Sequence, residues 1–262
     1  MPRGHPSAIV RPHAAEQAFT VDRRAPCTAL AGIIDYHWFV GWDVEEPFRQ
    51  QVVPQPRIHI AAEEGRLLVH GISRAPFFRT LTGRGHTLGA SFLPAGFRGL
   101  LGASVGSLSG RVLPAGELFE VDDEPVARRI LAGEDVPAMV AALEDYLLLL
   151  DPRPDPAAVE VQRLVALAEH DHRVKRAETL AERAGLSLRS LERLFTDYVG
   201  VGPKWVIRRY RILDVAAAAH SGDPVDWAGL ARELGFSDQA HLTRVFTQVV
   251  GTPPATYRRA AR

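Results

Sequence analysis

Two copies of one pattern, offset by fifty residues, constrain this chain more than any other feature. The stretch LAERAGLSLRSLERLFTDYVGVGP, Leu180 to Pro203, lies over LARELGFSDQAHLTRVFTQVVGTPP, Leu230 to Pro254. Leu180, Ala181, Gly185 and Ser187 recur as Leu230, Ala231, Gly235 and Ser237. After one extra residue in the second copy, Leu191, Arg193, Phe195, Val199, Gly200 and Pro203 recur as Leu242, Arg244, Phe246, Val250, Gly251 and Pro254. Each copy reads as helix, tight turn, helix. A small residue (Ala181, Ala231) lets the second helix cross the first, and Gly185 and Gly235 end the first helix where a left-handed conformation is needed. Ser187 and Ser237 are positioned to cap the second helix.

At 100° per residue, Leu191, Leu194, Phe195 and Tyr198 form the core face of one second helix. Leu242, Val245, Phe246 and Val249 do the same in the other. The opposite faces carry Arg189, Arg193 and Thr196, and Ala240, Arg244 and Thr247, so both copies present a central arginine at the same place. Between them, PKWVIRRYRILDVAAAAH from Pro203 to His220 predicts one helix about 26 Å long. That spacer suits two recognition helices held roughly one DNA turn, about 34 Å, apart.

Upstream the texture changes. DPRPDPAAVE at Asp151–Glu160 sets prolines at every second position and reads as a linker, with Asp155 capping and Pro156 opening the next helix. From about Ile33 to Leu93, short β-branched and aromatic runs (IDYHWFVGW, RIHIAA, RLLVHGI, HTLGASFL) alternate with turns, predicting a β-meander or small barrel-like sheet. In PAMVAALEDYLLLL, Met139, Leu143, Tyr146, Leu147 and Leu150 share a helical face, and Leu148 and Leu149 extend the apolar surface. Two readings of that helix stand: burial within the domain and a dimer contact.

Net charge is zero, but basic residues outnumber acidic 16 to 12 from Pro156 onward, against 15 to 19 before it. Position therefore has to carry any argument about nucleic acid. The most apolar window is broken by Glu144 and Asp145, so no membrane partner is expected. The amino-terminal MPRGHPSAIVRPHAAEQ has no continuous apolar segment of the signal-peptide kind, and with a single cysteine, Cys27, the chain is expected in the cytoplasm.

From Ala177 to Arg259 the chain resembles the DNA-binding domain of AraC-type (AraC/XylS) helix-turn-helix transcription regulators, most closely over ARELGFSDQAHLTRVFTQVVGTPPATYRR. The resemblance implies base contacts from Arg189, Glu192 and Arg193 in the first recognition helix and from Gln239, Ala240 and Arg244 in the second. The chemistry suits them: arginine pairs with guanine, glutamine with adenine, and an alanine methyl meets thymine. Ser187, Ser237, Lys204, Arg208 and Arg209 are candidate phosphate contacts, which orient the protein without specifying sequence. Glu192 and Asp197 place negative charge on or beside the first helix. The expected architecture is α+β and multidomain: a β-rich, sensor-like regulatory domain (1–125), a helical and Pro-rich linker with a possible dimerisation helix (126–156), and an all-α domain with two helix-turn-helix motifs joined by a long helix (157–262). Its expected partners are double-stranded DNA, RNA polymerase, a small-molecule effector and a second copy of the chain.

For the first domain, His37, His59, His70 and His86 fall in or beside strands, but only His59 with Glu63 approaches the metal spacing of a cupin, so no metal is expected. Trp38, Phe39, Trp42, Phe77, Phe78 and Phe92 suit either an apolar effector pocket or the core. Without a Gly-x-Ser-x-Gly, P-loop or dinucleotide fingerprint, neither enzymatic activity nor a cofactor is expected. The alternative is a DNA-binding adaptor whose first domain binds a protein.

Overall fold

The computed structural model describes residues 15, 17–153, 155–220 and 224–260; the amino-terminal segment read above for a signal lies mostly outside them. A six-stranded antiparallel sheet comes first: β1 (Phe19–Arg24), β2 (Ile34–Val52), β3 (His59–Glu63), β4 (Arg66–His70), β5 (Phe77–Phe92) and β6 (Val112–Pro114). Its order is β1-β2-β5-β3-β4-β6. This is not the expected meander, because β5 returns to pair with β2 and leaves the β3–β4 hairpin on its far side. β2 and β5 pair from Ile34 opposite Phe92 to Val52 opposite Phe77, with a register shift between Val44 and Phe48.

The period of two along a strand divides this sheet into two environments. Ile60, Ala62, Leu67, Val69, Leu88 and Ala90 are fully buried on one face. Helices α3 (Asp123–Leu131) and α4 (Val136–Leu149) pack against that side of the sheet. Asp123 on α3 takes a two-pronged hydrogen bond from Arg66, at 2.8 and 3.1 Å. Glu144 on α4 is hydrogen-bonded to the buried His37 at 2.9 Å and accepts from the Cys27 amide at 2.7 Å. Met139, Leu143, Tyr146 and Leu147 of α4 are buried, whereas Leu149 at its end is 81% exposed. Short helices α1 (Arg98–Leu101) and α2 (Ala115–Phe119) complete this half.

The remaining chain is helical: α5 (Pro156–His170), α6 (Ala177–Ala184), α7 (Leu188–Tyr198), α8 (Pro203–His220), α9 (Trp227–Glu233), α10 (Gln239–Val250) and α11 (Pro254–Ala260). Asp155 caps α5 by accepting from the Ala157 amide, and Pro156 occupies its first turn. The spacer helix α8 spans the residues expected of it, with Val206, Ile207, Tyr210, Ile212, Leu213 and Val215 buried between its neighbours. One continuous buried core runs from Leu30 in the first half to Tyr257 in α11, so the sheet and the helices are packed together.

Candidate nucleic-acid interface and adjoining cavity

Both repeats fold as helix, turn, helix, and their turns use the glycines for their backbone. Gly185 (φ 65°) and Gly235 (φ 81°) take the left-handed conformation just after α6 and α9, where a side chain would be strained. In the first copy Ser187 caps α7, accepting from the Ser190 amide at 3.1 Å. In the second copy Asp238, not Ser237, is the cap: its carboxylate accepts from the His241 amide at 2.6 Å. The extra residue of the second copy moves the cap one place along, and Ser237 Oγ instead meets His241 Nδ1 at 3.1 Å. The hydrogen bond from the His241 amide, set against little burial, holds the Asp238 carboxyl below its ordinary range.

Leu191 and Phe195 in α7, and Leu242, Val245 and Phe246 in α10, are buried. On the opposite faces Arg189, Glu192, Arg193 and Thr196, and Gln239, Ala240 and Arg244, are exposed. Ser187, Ser237, Lys204 and Arg208 are exposed as well. Arg209 is the exception among the candidate contacts, being only 4% exposed. Its guanidinium lies over the Trp205 ring, 4.5 Å from the centroid, and donates to the Arg74 carbonyl at 3.3 Å. Burial, with Arg208 beside it, pushes its pKa down to about 10. The phosphate assignment of Arg209 is thus corrected. On α8 the residue after Arg208 turns into the joint between the two halves, away from the exposed candidates.

The neighbouring Arg211, 2% exposed, was invisible to a reading of basic residues as surface groups. It donates to the carbonyls of Ala168, Glu169, Asp171 and Val174 at 3.1–3.3 Å and to the Asp214 carboxylate at 3.0 Å. The last turn of a helix leaves carbonyls without partners, and a cation is favoured there by the helix dipole. Arg211 therefore ties the end of α5 to the spacer that carries both motifs.

The first half touches this helical unit at several points. Gly106 approaches the end of α7 so closely that a β-carbon there would lie 3.0 Å from the Thr196 carbonyl oxygen. Arg98 sits 3.7 Å from the Asp197 carboxylate and 5.5 Å from the Tyr198 ring centroid. Asp197 thus has a cationic neighbour of its own. Gln51 donates to the Val250 carbonyl at the end of α10, at 3.1 Å.

On the sheet face turned away from α3 and α4 there is a cavity of about 350 Å³. Alternation supplies its walls: Tyr36, Trp38, Val40 and Trp42 from β2, His59 and Glu63 from β3, Phe77, Arg79 and Leu81 from β5. Of the six aromatic residues with two open readings, Trp38, Trp42 and Phe77 line this cavity. Phe92 is fully buried, Phe39 packs against the core, and Phe78 is exposed beneath the Arg49 guanidinium. Glu63 is hydrogen-bonded to His70 at 2.6 Å and paired with Arg79 at 3.0 Å. Burial opposes its charge, but those two partners prevail and its pKa is lowered. Arg57, also on the wall, is paired with Asp35 at 2.6 Å. Of the other strand histidines, His37 faces α4 and His86 meets the Leu131 carbonyl. Among the described residues no group of three or more His, Cys, Asp or Glu side chains is arranged to hold a metal. None of the described helices is long and apolar enough to cross a membrane.

A helix-turn-helix domain family matches residues 180–260, and a domain family of unknown function (DUF6597) matches residues 22–114. The probable transcription factor PqrA of Proteus vulgaris is 33% identical over 81 residues, 31% of this chain and 66% of that protein. The transcriptional activator NphR of a Rhodococcus species is 25% identical over 217 residues, 81% of this chain and 57% of that protein. The RCS-specific activator RclR of Escherichia coli K12 is 29% identical over 115 residues, covering 44% and 38% of the two chains. This chain therefore spans just under two thirds, or less, of the length of these relatives. A crystal structure of ToxT from Vibrio cholerae aligns with TM-score 0.41 and 12% identity over 93% of this chain and 98% of that chain. Both copies of the repeat lie inside the helix-turn-helix match and fold as such motifs, and residues 180–260 form a helix-turn-helix domain similar to those of the transcription regulators above.

Proposed function

We propose that this chain regulates transcription by binding double-stranded DNA in a sequence-specific way, with α7 and α10 entering two successive major grooves. The observation that carries this reading is the pair of exposed central arginines, Arg193 and Arg244, on the outward faces of two recognition helices fixed to one rigid spacer. Arg189, Glu192 and Arg193 read one half-site, and Gln239, Ala240 and Arg244 the other. Ser187, Ser237, Lys204 and Arg208 hold the phosphates. In this reading residues 1–125 are regulatory, 126–156 link, and 157–262 bind DNA. The cavity takes a small-molecule effector: its wall residues Gln50 and Ser73 directly precede Gln51 and Arg74, whose polar atoms touch the helical half. That proximity favours an effector over a protein adaptor. RNA polymerase and a second copy of the chain are the expected macromolecular partners, the latter through the exposed end of α4.

Selection of bound sites from a random DNA library tests the proposal. Two unlike half-sites about one helical turn apart are expected. A single short motif, or no enrichment at all, overturns the two-groove reading.

A further inference from the structure

The polar groups of the cavity are unequally occupied. Arg79 and His70 are committed to Glu63, and Arg57 to Asp35. The arginines that line the cavity with no carboxylate partner among the described residues, Arg23 and Arg111, are half-buried or exposed, and water screens their charge. His59, half-buried like Arg23, differs from all of these in its charge. Its ring packs edge-on against Trp38, 6.2 Å between centroids, on the cavity wall. Its neighbour on β4, His70, is the one that takes the carboxylate. Burial, with His70 and Arg57 nearby, pushes the His59 pKa down to about 3, so at neutral pH the ring is uncharged. A neutral imidazole presents one N–H donor and one nitrogen acceptor.

We infer that the cavity recognises an uncharged, largely apolar and aromatic molecule carrying one hydroxyl or carbonyl group, which hydrogen-bonds to His59 beside the indole of Trp38. This rests on the effector reading of the cavity and adds the chemical class. The walls supply flat apolar surface, and the volume lies at the small end of the range for ligand pockets, roughly 300–1,000 Å³. Of the cations on the wall, Arg57 and Arg79 are already paired. An anion entering the cavity is desolvated, and the arginines left for it, Arg23 and Arg111, are ones whose charge water screens. A hydroxyl that meets His59 exchanges one hydrogen bond for another at little cost.

The test compares 2-naphthol with 2-naphthoate by isothermal titration calorimetry on the full chain at pH 7. The same shape is thereby offered neutral and anionic. The naphthol is expected to bind at least about tenfold more tightly, and His59→Ala to weaken it by about tenfold, the worth of one hydrogen bond. His59→Gln, which keeps a donor and an acceptor, is expected to restore most of that loss, and this separates recognition from misfolding. Tighter binding of the naphthoate overturns the neutral class and leaves the effector reading standing. Unchanged naphthol affinity in folded His59→Ala removes His59 from the contact. Binding of neither probe to the unaltered chain overturns the effector reading and the class with it.

Discussion

The two helix-turn-helix units share a sequence pattern and differ in what surrounds them. The first is braced on several sides: α5 is tied to the spacer through Arg211, and Gly106 and Arg98 of the sheet half press on the end of α7. The second is held differently, with Lys175 donating to the Arg232 carbonyl at 2.9 Å and His172 meeting Glu233 at 3.3 Å at the end of α9. Tyr257 of α11 stacks edge-on with Phe246 at 5.5 Å and with His220 at 5.0 Å, and Gln51 supplies a hydrogen bond at the end of α10. One pattern is therefore held in two ways: the sheet half presses on the end of α7 through Gly106 and Arg98 and reaches the end of α10 through Gln51.

The strongest way to break this contrast is Arg211→Ala. It strands the carbonyls of α5 and the Asp214 carboxylate in a buried site. A loss of about 3–5 kcal/mol is expected, the scale for removing one partner from a buried charged network. Urea denaturation measures it; a change below about 1 kcal/mol removes Arg211 from the brace, that being the scale of an exposed pair.

Next in size is Gly106→Leu, which forces a side chain onto the Thr196 carbonyl. Overpacking of this kind costs about 1–3 kcal/mol. Amide exchange is expected to quicken at the carboxyl end of α7 while α10 keeps its protection. Equal loosening of both helices means that the contact does not single out the first motif.

On DNA, Arg244→Ala is expected to lose about 1–3 kcal/mol and to relax the preference at one base pair. Arg208→Ala should weaken all sequences alike, and Arg209→Ala should leave the salt dependence unchanged because that guanidinium is inside the protein. Equal losses for Arg244→Ala on specific and random DNA would take it out of base reading.

The repeat made the helical half legible to within a residue or two. Gly185, Gly235 and the alternating apolar faces act locally, and local rules read well from one sequence. The cap at Asp238 was within reach, since the inserted residue that displaces Ser237 is visible in the alignment of the two copies. Arg209 and Arg211 were not legible, because a basic residue is buried only when partners distant in sequence satisfy it. Arg211 finds the carbonyls it donates to 37–43 residues away, besides Asp214 on its own helix, and Arg209 reaches 135 residues back to Arg74. The sheet was half legible: alternation gives each strand two faces, but it says neither which face meets helices nor that β5 crosses back to β2. Trp38 and Phe39 are neighbours of one chemical class, and only the fold sends the first to the cavity and the second to the core.

The smallest expected effect bears most directly on the contrast between the two motifs. Glu192 is exposed on the outward face of α7, beside Arg193, where α10 carries the uncharged Thr243 beside Arg244. One unit charge about 7 Å from a phosphate in water is worth roughly 0.6 kcal/mol, a factor of about three in affinity. Glu192→Gln removes the repulsion and keeps the side chain's length, so binding to random DNA should tighten by up to about threefold at low salt, with the gain fading as salt rises. Specific DNA discriminates further. A Glu192 that accepts from a cytosine amino group would make the same substitution weaken the cognate site while strengthening random DNA. Opposite signs on the two DNAs would make the first motif a base reader despite its acidity; tightening on both would leave its sequence preference to the arginines.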